Sequence, residues 1–182
     1  RRQRQMCIRD SLMRELTPEA KRIGVLYASN EDNSLSQVKS FSQLAQKKGY
    51  QVIPYAVPST NEVPTTMSIM LSKVDAIFIP QDNTIASAFS SVITASKAAK
   101  VPVYSSVDTM VKEGSLASIS QSQYQLGVET ANQVLRLIKG KAVADISVKV
   151  INHGKPLINK KVAEELGIPM SQHLLDTVSF VE

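Results

Sequence analysis

Short apolar runs alternate along this chain with segments whose apolar residues recur at helical spacing, and this alternation constrains the fold more than any other feature. Most of the runs are followed by an amphipathic segment long enough to cross back over a sheet. The sequence therefore predicts an α/β fold, a doubly wound parallel sheet with flanking helices on both faces. The runs that predict strands are residues 22–27, 51–57, 74–80, 101–104 and 116–120.

Several elements can be placed more closely. The first long helix is predicted to begin at Asn33 or Ser34, since both residue types are favoured N-caps. The strand at residues 51–57 is predicted to lie at a sheet edge, because Pro54 has no N–H to donate. A longer amphipathic helix is predicted from about Gln123 to Lys139. The apolar residues of the first helix recur every three positions, at Leu35, Val38, Phe41 and Leu44.

The first eleven residues show neither helical nor strand periodicity, and their back-translation reproduces a transposase-end adapter. We therefore interpret residues 1–11 as a sequencing-adapter artefact outside the fold. Residues 1–10 hold four Arg and one Asp, so the remaining 17 basic and 15 acidic residues leave the chain near neutral despite its formal charge of +5. A genuine basic arm is the alternative. A near-neutral chain does not favour nucleic acid as a partner.

Polar loops follow the predicted strands, at the edge of a parallel sheet where ligands commonly bind. They are residues 28–34, 81–84, 105–108 and 120–123, and they are rich in Ser, Asn, Asp and Gln. Two of them lead into helix N-termini, whose free N–H groups favour an anionic group such as a carboxylate. The loops predict either a cleft for a small polar molecule or, equally, helix caps and turns without a ligand.

Sequence signatures of catalysis are absent. No glycine-rich dinucleotide or phosphate loop follows the first strand, and no nucleophile elbow is present. Neither His153 nor His173 lies at the end of a predicted strand, so both are predicted to be surface residues. Asp82 and Asp108 could form an acid–base pair, but such residues more often cap helices or hold a ligand ammonium. No enzyme activity, cofactor or metal is predicted.

An ordered series of sequence blocks resembles the TrpX-type substrate-binding proteins of ABC importers, which are periplasmic binding protein-like proteins of type I. The most specific block is V-D-A-I-F-I-P-Q-D-N-T at residues 74–84. The resemblance extends over nearly everything from Leu12 onward. Further blocks are residues 20–27 with Glu31, Asn33 and Ser34, and residues 59–63, 102–104, 116–118, 124–127, 157–161 and 163–164.

The resemblance implies a bilobal protein that catches its ligand between two lobes. Residues 12–121 would form the C-terminal ligand-binding lobe, residues 122–145 a helix that returns to a missing first lobe, and residues 146–182 a C-terminal strand and helix. Such proteins are extracytoplasmic, often lipid-anchored behind a signal sequence that this chain lacks, and deliver an amino acid, in some cases an aromatic one, to an ABC permease.

Carried over position by position, the resemblance also implies ligand-binding residues. At the last loop the chain has Ser122 where the family commonly has an aspartate suited to a ligand ammonium. Asp82 or Asp108 is therefore expected to accept that ammonium instead. The implied ligand-binding residues are Asn33, Ser34, Gln81, Asp82, Asn83, Thr84, Ser106, Asp108 and Ser122.

Two other classes of protein share this architecture. The ligand-sensing domain of a LacI-like transcription regulator is the first, and it would require a DNA-binding helix-turn-helix before the domain. A Rossmann-like enzyme is the second, and the missing phosphate loop disfavours it. Fold alone does not choose among the three classes. The block-level resemblance favours the solute-binding component of an ABC importer.

Overall fold

The computed structural model describes residues 12–120, 123–148 and 155–181. Over these ranges the strands form one sheet in the order β2-β1-β3-β4-β5-β6-β7. All neighbouring strands are parallel except β5 and β6, which are antiparallel. Pro54 lies in the edge strand β2, as predicted. The strands are β1 Arg22–Ala28, β2 Gln51–Val57, β3 Ala76–Ile79, β4 Val103–Ser105, β5 Ala117–Ser120, β6 Lys155–Asn159 and β7 Ser179–Val181.

Helices cover the sheet and connect its strands. Residues 12–16 are helical and precede β1. Short 3₁₀ turns occur at Thr60–Glu62 and Val143–Asp145. No helix in the described part of the chain combines the length and apolar character needed to cross a membrane. The remaining helices are α1 Asp32–Lys47, α2 Val63–Leu71, α3 Asn83–Ser87, α4 Phe89–Ala99, α5 Asp108–Lys112, α6 Gln123–Ile138, α7 Lys160–Glu165 and α8 Gln172–Thr177.

Apolar cores lie on both faces of the sheet, because successive side chains of a strand point in opposite directions. In β3, Phe78 belongs to one core and Ile77 to the other. The Phe78 side packs against α1, where the rings of Phe41 and Phe78 stack with centroids 4.0 Å apart. The Ile77 side packs against α2 and α4, which contribute Met67 and Val92. The predicted doubly wound α/β fold is confirmed.

The predicted start of the first long helix is wrong. Glu31 occupies the N-cap position with extended backbone, so Asn33 and Ser34 both lie inside the first turn. The buried stripe also differs, and Leu35 is exposed. A step of three residues falls about 60° short of a full turn, so a strict three-residue repeat drifts off one face, whereas mixed steps of four and three do not. The buried residues are Ser34, Val38, Phe41 and Ala45.

Two later segments are more divided than the sequence indicates. The amphipathic segment after β3 does not form one helix, because it is interrupted at Ala88, which separates α3 from α4. The C-terminal segment, predicted as one strand and one helix, contains β6, α7, α8 and β7 within residues 155–181. Ser171 caps α8 through its hydroxyl, which accepts from the N–H of Leu174. Short capped helices of this kind give little periodicity for a sequence pattern to reveal.

Asp75, one residue before β3, joins the starts of β1 and β3. Its Oδ2 accepts from the backbone N–H groups of Lys21 at 2.9 Å and Arg22 at 2.7 Å. Its Oδ1 accepts from the Arg22 guanidinium, with the shorter contact at 2.6 Å. The hydrogen bond from the Arg22 side chain is the largest influence on the pKa of Asp75, which is lowered to about 2 even though burial opposes the change.

The lowered pKa of Asp75 predicts a loss of stability in acid. The pKa in the folded state lies below the unfolded value of about 3.9, so the charged form stabilises the fold above that pH. This contribution is lost as the pH falls from about 4 to about 2. We expect Asp75→Asn to remove part of the decline in the free energy of unfolding over this window, measured by urea denaturation at several pH values.

The control for Asp75 is Asp145→Asn, at an exposed carboxylate, which should leave the decline unchanged. Equal curves of stability against pH for the parent protein and both variants would contradict the prediction.

Candidate ligand-binding site

Three of the four polar loops converge at one edge of the sheet. They follow β1, β3 and β4, which are adjacent and parallel, so their carboxyl ends lie side by side. The fourth loop follows β5, and its residues 121 and 122, including the predicted ligand residue Ser122, lie outside the described residues. We call the other three loops, residues 28–34, 81–84 and 105–108, the rim.

The loops after β1 and β3 are joined directly by hydrogen bonds. The Asn33 side chain donates through Nδ2 to the carbonyl of Gln81 at 2.7 Å, and the hydroxyl of Ser34 donates to the same carbonyl at 3.3 Å. The N–H of Gln81 in turn donates to Oε1 of Gln37 in α1 at 3.2 Å. Ser34 is buried, whereas Asn33 and Gln81 are exposed. Three of the predicted ligand residues are therefore in contact with one another.

Asp82 is the most buried carboxylate of the rim, with 3% of its surface exposed. Its Oδ1 accepts from the N–H of Ile85 at 2.8 Å and thereby caps α3. Its Oδ2 accepts from the N–H of Ala28, the last residue of β1, at 2.7 Å. The capping alternative that the sequence offered for Asp82 is thus observed. Both oxygens hold backbone groups, so this side chain fixes the rim irrespective of any ligand.

Glu31 is the residue that sequence reasoning missed. One carboxylate oxygen accepts from the N–H and Nδ2 of Asn83, at 3.0 and 3.1 Å. The other accepts from the N–H and Oγ1 of Thr84, at 2.8 and 2.9 Å. Burial alone would raise the pKa of Glu31, but these hydrogen bonds outweigh it and the pKa is lowered. The start of α3, predicted to be open to a ligand carboxylate, is occupied by a carboxylate of the chain itself.

Ser106 and Asp108 form the third loop of the rim. The N–H of Ser106 donates to the carbonyl of Ile79 at 3.0 Å, and this residue is buried. Asp108 is half-buried. It accepts from the N–H of Thr109 at 3.0 Å and, more weakly, from that of Gln123 at 3.4 Å. Asp108 therefore connects the rim to the first residue of α6.

A buried group of serines lies at the end of β4 and the beginning of β5, next to this loop. The hydroxyl of Ser105 donates to the carbonyl of Val107 at 3.0 Å and lies 3.0 Å from the hydroxyl of Ser115. Ser118, opposite Ser105 in the adjacent strand, is buried, and its hydroxyl has no hydrogen-bond partner among the described residues. The polar character of the rim thus continues into the sheet.

Helix α6 carries an apolar face that nothing in the described structure covers. The helix spans Gln123–Ile138, in agreement with the prediction, and none of its side chains is buried. Tyr124 is 80% exposed and Ile138 is 74% exposed. A shallow groove runs along the same helix and is lined mainly by small and apolar residues, namely Leu126, Gly127, Thr130, Ala131, Val134 and Leu135, with Gln123 at its start.

The chemistry that the rim offers is that of hydrogen bonding. Within the described ranges no three His, Cys, Asp or Glu residues are grouped closely enough to hold a metal ion. Asp82, one member of the acid–base pair considered from the sequence, is buried and bonded to backbone N–H groups. Neutral amides, hydroxyls and carboxylates at one edge of a parallel sheet can hold a small polar molecule.

The fold and the rim together define a periplasmic binding protein-like ligand-binding domain. The chain belongs to the ABC transporter substrate binding protein family, whose model matches residues 4–181. The matched range includes most of the N-terminal segment that the sequence analysis sets apart.

Two relatives make the family membership concrete. The chain is 30% identical over 171 residues to a tyrosine-binding protein of Clostridioides difficile (strain R20291). This match covers 94% of this chain and 49% of that protein. It is 46% identical, with a TM-score of 0.90, to a Streptococcus pneumonia ABC domain solved in complex with L-Trp, over 95% of this chain and 59% of that one. The chain therefore spans about half the length of these relatives.

The alternative of a transcription regulator rests on fold alone. A LacI family regulator from Bifidobacterium animalis superposes with a TM-score of 0.60, but at 15% identity over 84% of this chain and 60% of that one. Identity at this level shows a common architecture and says nothing about function. The family match, by contrast, covers nearly the whole chain.

Proposed function

We propose that this chain is the C-terminal ligand-binding lobe of an extracytoplasmic solute-binding protein, located in the periplasm or anchored at the cell surface, that delivers an amino acid to an ABC permease. The ligand is an aromatic amino acid, held between two lobes and released without chemical change. The single observation that carries the proposal is the family match over nearly the whole chain. The choice of ligand is supported by the two relatives, one a tyrosine-binding protein and the other a domain solved in complex with L-Trp.

The exposed face of α6 supports the presence of a second lobe. An amphipathic helix without buried side chains has no source of tertiary stabilisation within the described structure. Residues 122–145 are accordingly proposed to pack on a first lobe, and residues 12–121 to form the lobe that carries the rim. Relatives about twice as long as this chain have sequence enough for such a lobe.

The ligand is proposed to contact the nine residues implied by the resemblance, with different roles. Asp82 holds the loops of the rim in place and makes only a peripheral contact with the ligand, because its two oxygens already accept from backbone N–H groups. Asp108 is half-buried and, among the described residues, accepts one short hydrogen bond, from the N–H of the next residue. We therefore assign to Asp108 the charge that pairs with the ligand ammonium.

The test of this function is calorimetry on the protein extended to the length of its relatives. We expect L-tryptophan or L-tyrosine to bind with a Kd of about 10 μM or tighter, equivalent to about 7 kcal/mol. The other amino acids and a set of pentoses and hexoses complete the panel. Preference for a sugar, or the absence of binding to every amino acid, would contradict the proposal.

Asp108→Asn is expected to weaken binding of the aromatic amino acid by about tenfold or more, since loss of a carboxylate that pairs with the ligand ammonium has a large effect on affinity. The substitution keeps the size and the oxygen that accepts from the N–H of Thr109, so thermal stability should change little. Glu113→Gln, at an exposed acid just after α5, is the matched control. Equal affinities for both variants and the parent protein would remove Asp108 from the site.

A further inference from the structure

The donors of α3 are all engaged within the chain. The N–H groups of Asn83 and Thr84 donate to Glu31, that of Ile85 donates to Asp82, and that of Ala86 donates to the carbonyl of Asp82 at 3.0 Å. The N–H groups of Asn83, Thr84 and Ile85 are among those that a helix start leaves without an intrahelical acceptor, and the bond from Ala86 to Asp82 is the first intrahelical hydrogen bond. A ligand carboxylate therefore finds no open backbone donor in this turn.

Glu31 also decides which side-chain atoms of the loop remain open. A threonine hydroxyl has one proton, and that of Thr84 is donated to Glu31, so Oγ1 can only accept from a ligand. Nδ2 of Asn83 faces the same carboxylate, which directs Oδ1 away from it. Neither Oδ1 of Asn83 nor Oγ1 of Thr84 accepts a hydrogen bond from a described residue. The open atoms are thus two acceptors and one remaining amide hydrogen of Asn83.

The charge of the rim also favours an ammonium group over a carboxylate. The three loops contain Glu31, Asp32, Asp82 and Asp108, and no Lys or Arg. A partly buried carboxylate repels a second anion and attracts a cation. The pKa of Glu31 is lowered, so its carboxylate stays charged at neutral pH.

We infer that Glu31 is a positioning residue that makes the loop after β3 an acceptor surface, so that Asn83 and Thr84 receive the ammonium of an amino acid and not its carboxylate. The inference rests on the proposed function. An ammonium has three donors. Oδ1 of Asn83 and Oγ1 of Thr84 can accept from two of them, and the charge that pairs with the ammonium is assigned above to Asp108. The ligand carboxylate is then bound outside this loop.

Binding of three related compounds to the extended protein tests which end of the ligand meets the loop. L-tryptophan has both charged groups, tryptamine lacks the carboxylate and 3-indolepropionate lacks the ammonium. We expect Thr84→Val to weaken the binding of L-tryptophan and of tryptamine by about fivefold or more, as for one lost hydrogen bond to a charged group. The affinity for 3-indolepropionate should stay within about twofold of that of the parent protein. Thr84→Ser, which keeps the hydroxyl, should restore binding. The reverse pattern, with 3-indolepropionate weakened and tryptamine unaffected, would overturn the inference.

Thr94→Val is the control for these measurements, because the hydroxyl of Thr94 also donates a hydrogen bond, in this case to the carbonyl of Ser90, but the residue lies exposed on α4. Glu31→Gln should reproduce the ligand pattern of Thr84→Val, since a glutamine amide can accept from only one of the two residues. A Glu31→Gln variant that lowers thermal stability but weakens all three compounds equally would reduce Glu31 to a structural role. If none of the compounds binds, the proposed function fails, and a second experiment without ligand decides on Glu31.

That experiment is a pH titration of this chain followed by NMR. We expect the side-chain amide of Asn83 and the backbone amide of Thr84 to shift together, with a midpoint below about 4.3, the ordinary value for glutamate. Asp32 and Asp82 are the neighbouring carboxylates, and both remain in Glu31→Gln, so a shift that this variant abolishes belongs to Glu31. Signals that do not titrate, or that titrate equally in the variant, would show that Glu31 does not control the loop.

Discussion

Asp82→Ala is expected to lower the free energy of unfolding of this chain by about 2–5 kcal/mol, the sum of a lost N-cap and a buried N–H left without a partner. The carboxylate bridges two elements, since it caps α3 and accepts from Ala28 at the end of β1. Urea denaturation followed by circular dichroism measures the change. The free energy of unfolding of Asp82→Asn should lie between those of the parent protein and Asp82→Ala, because the asparagine amide can accept from one of the two N–H groups but not from both.

The control for Asp82 is Asp32→Ala. Asp32 is an exposed acid in the first turn of α1, where its interaction with the helix dipole contributes about 0.3–1 kcal/mol. If Asp82→Ala destabilised the chain no more than Asp32→Ala, the hydrogen bonds of the buried carboxylate would not be important for the fold.

Phe78→Ala is expected to lower the free energy of unfolding by about 3–5 kcal/mol, the range for removal of a fully buried aromatic ring. Phe78 is almost completely buried in the central strand β3, and its ring stacks on that of Phe41 in α1. The loss combines the apolar area of the ring with the cavity that remains.

Phe180→Ala is the matched comparison, since Phe180 packs against the same core from β7 and is only partly buried. Thermal and urea unfolding of the two variants should rank Phe78→Ala as clearly the more destabilised. Similar losses at both positions would show that the stacked pair does not hold α1 on the sheet.

The elements with the strongest local pattern were predictable from the sequence. The continuous apolar run that contains β3 requires burial on both faces, and Pro54 can be accommodated only where a strand has a free side, so both placements depend on local chemistry. The long amphipathic pattern of α6 likewise identifies a helix without knowledge of its surroundings. The start of α1 was missed because Asn33 and Ser34 are good caps in isolation. In the folded chain they serve to bind the carbonyl of Gln81 instead.

The position of the rim was predictable from the sequence, but the hydrogen bonds within it were not. A parallel sheet places the loops after its strands along one edge, and this rule located the rim. The bonds of Glu31 to Asn83 and Thr84 join residues more than fifty positions apart, and no periodicity or motif spacing marks such a pair. Asp82 carried a local signal, since Asp before a helix start favours a cap. The sequence therefore indicated a capping role for Asp82 as well as a ligand-binding one.

The two outer strands of the sheet bear on how this chain can aggregate. An exposed strand edge is a template for cross-β growth, and natural proteins weaken such edges with proline or with short strands. Here β2 carries Pro54 at its centre, and β7, at the opposite edge, has only three residues. Clustering of purified chains is therefore expected to proceed through the apolar face of α6, giving reversible helical oligomers that do not bind amyloid dyes.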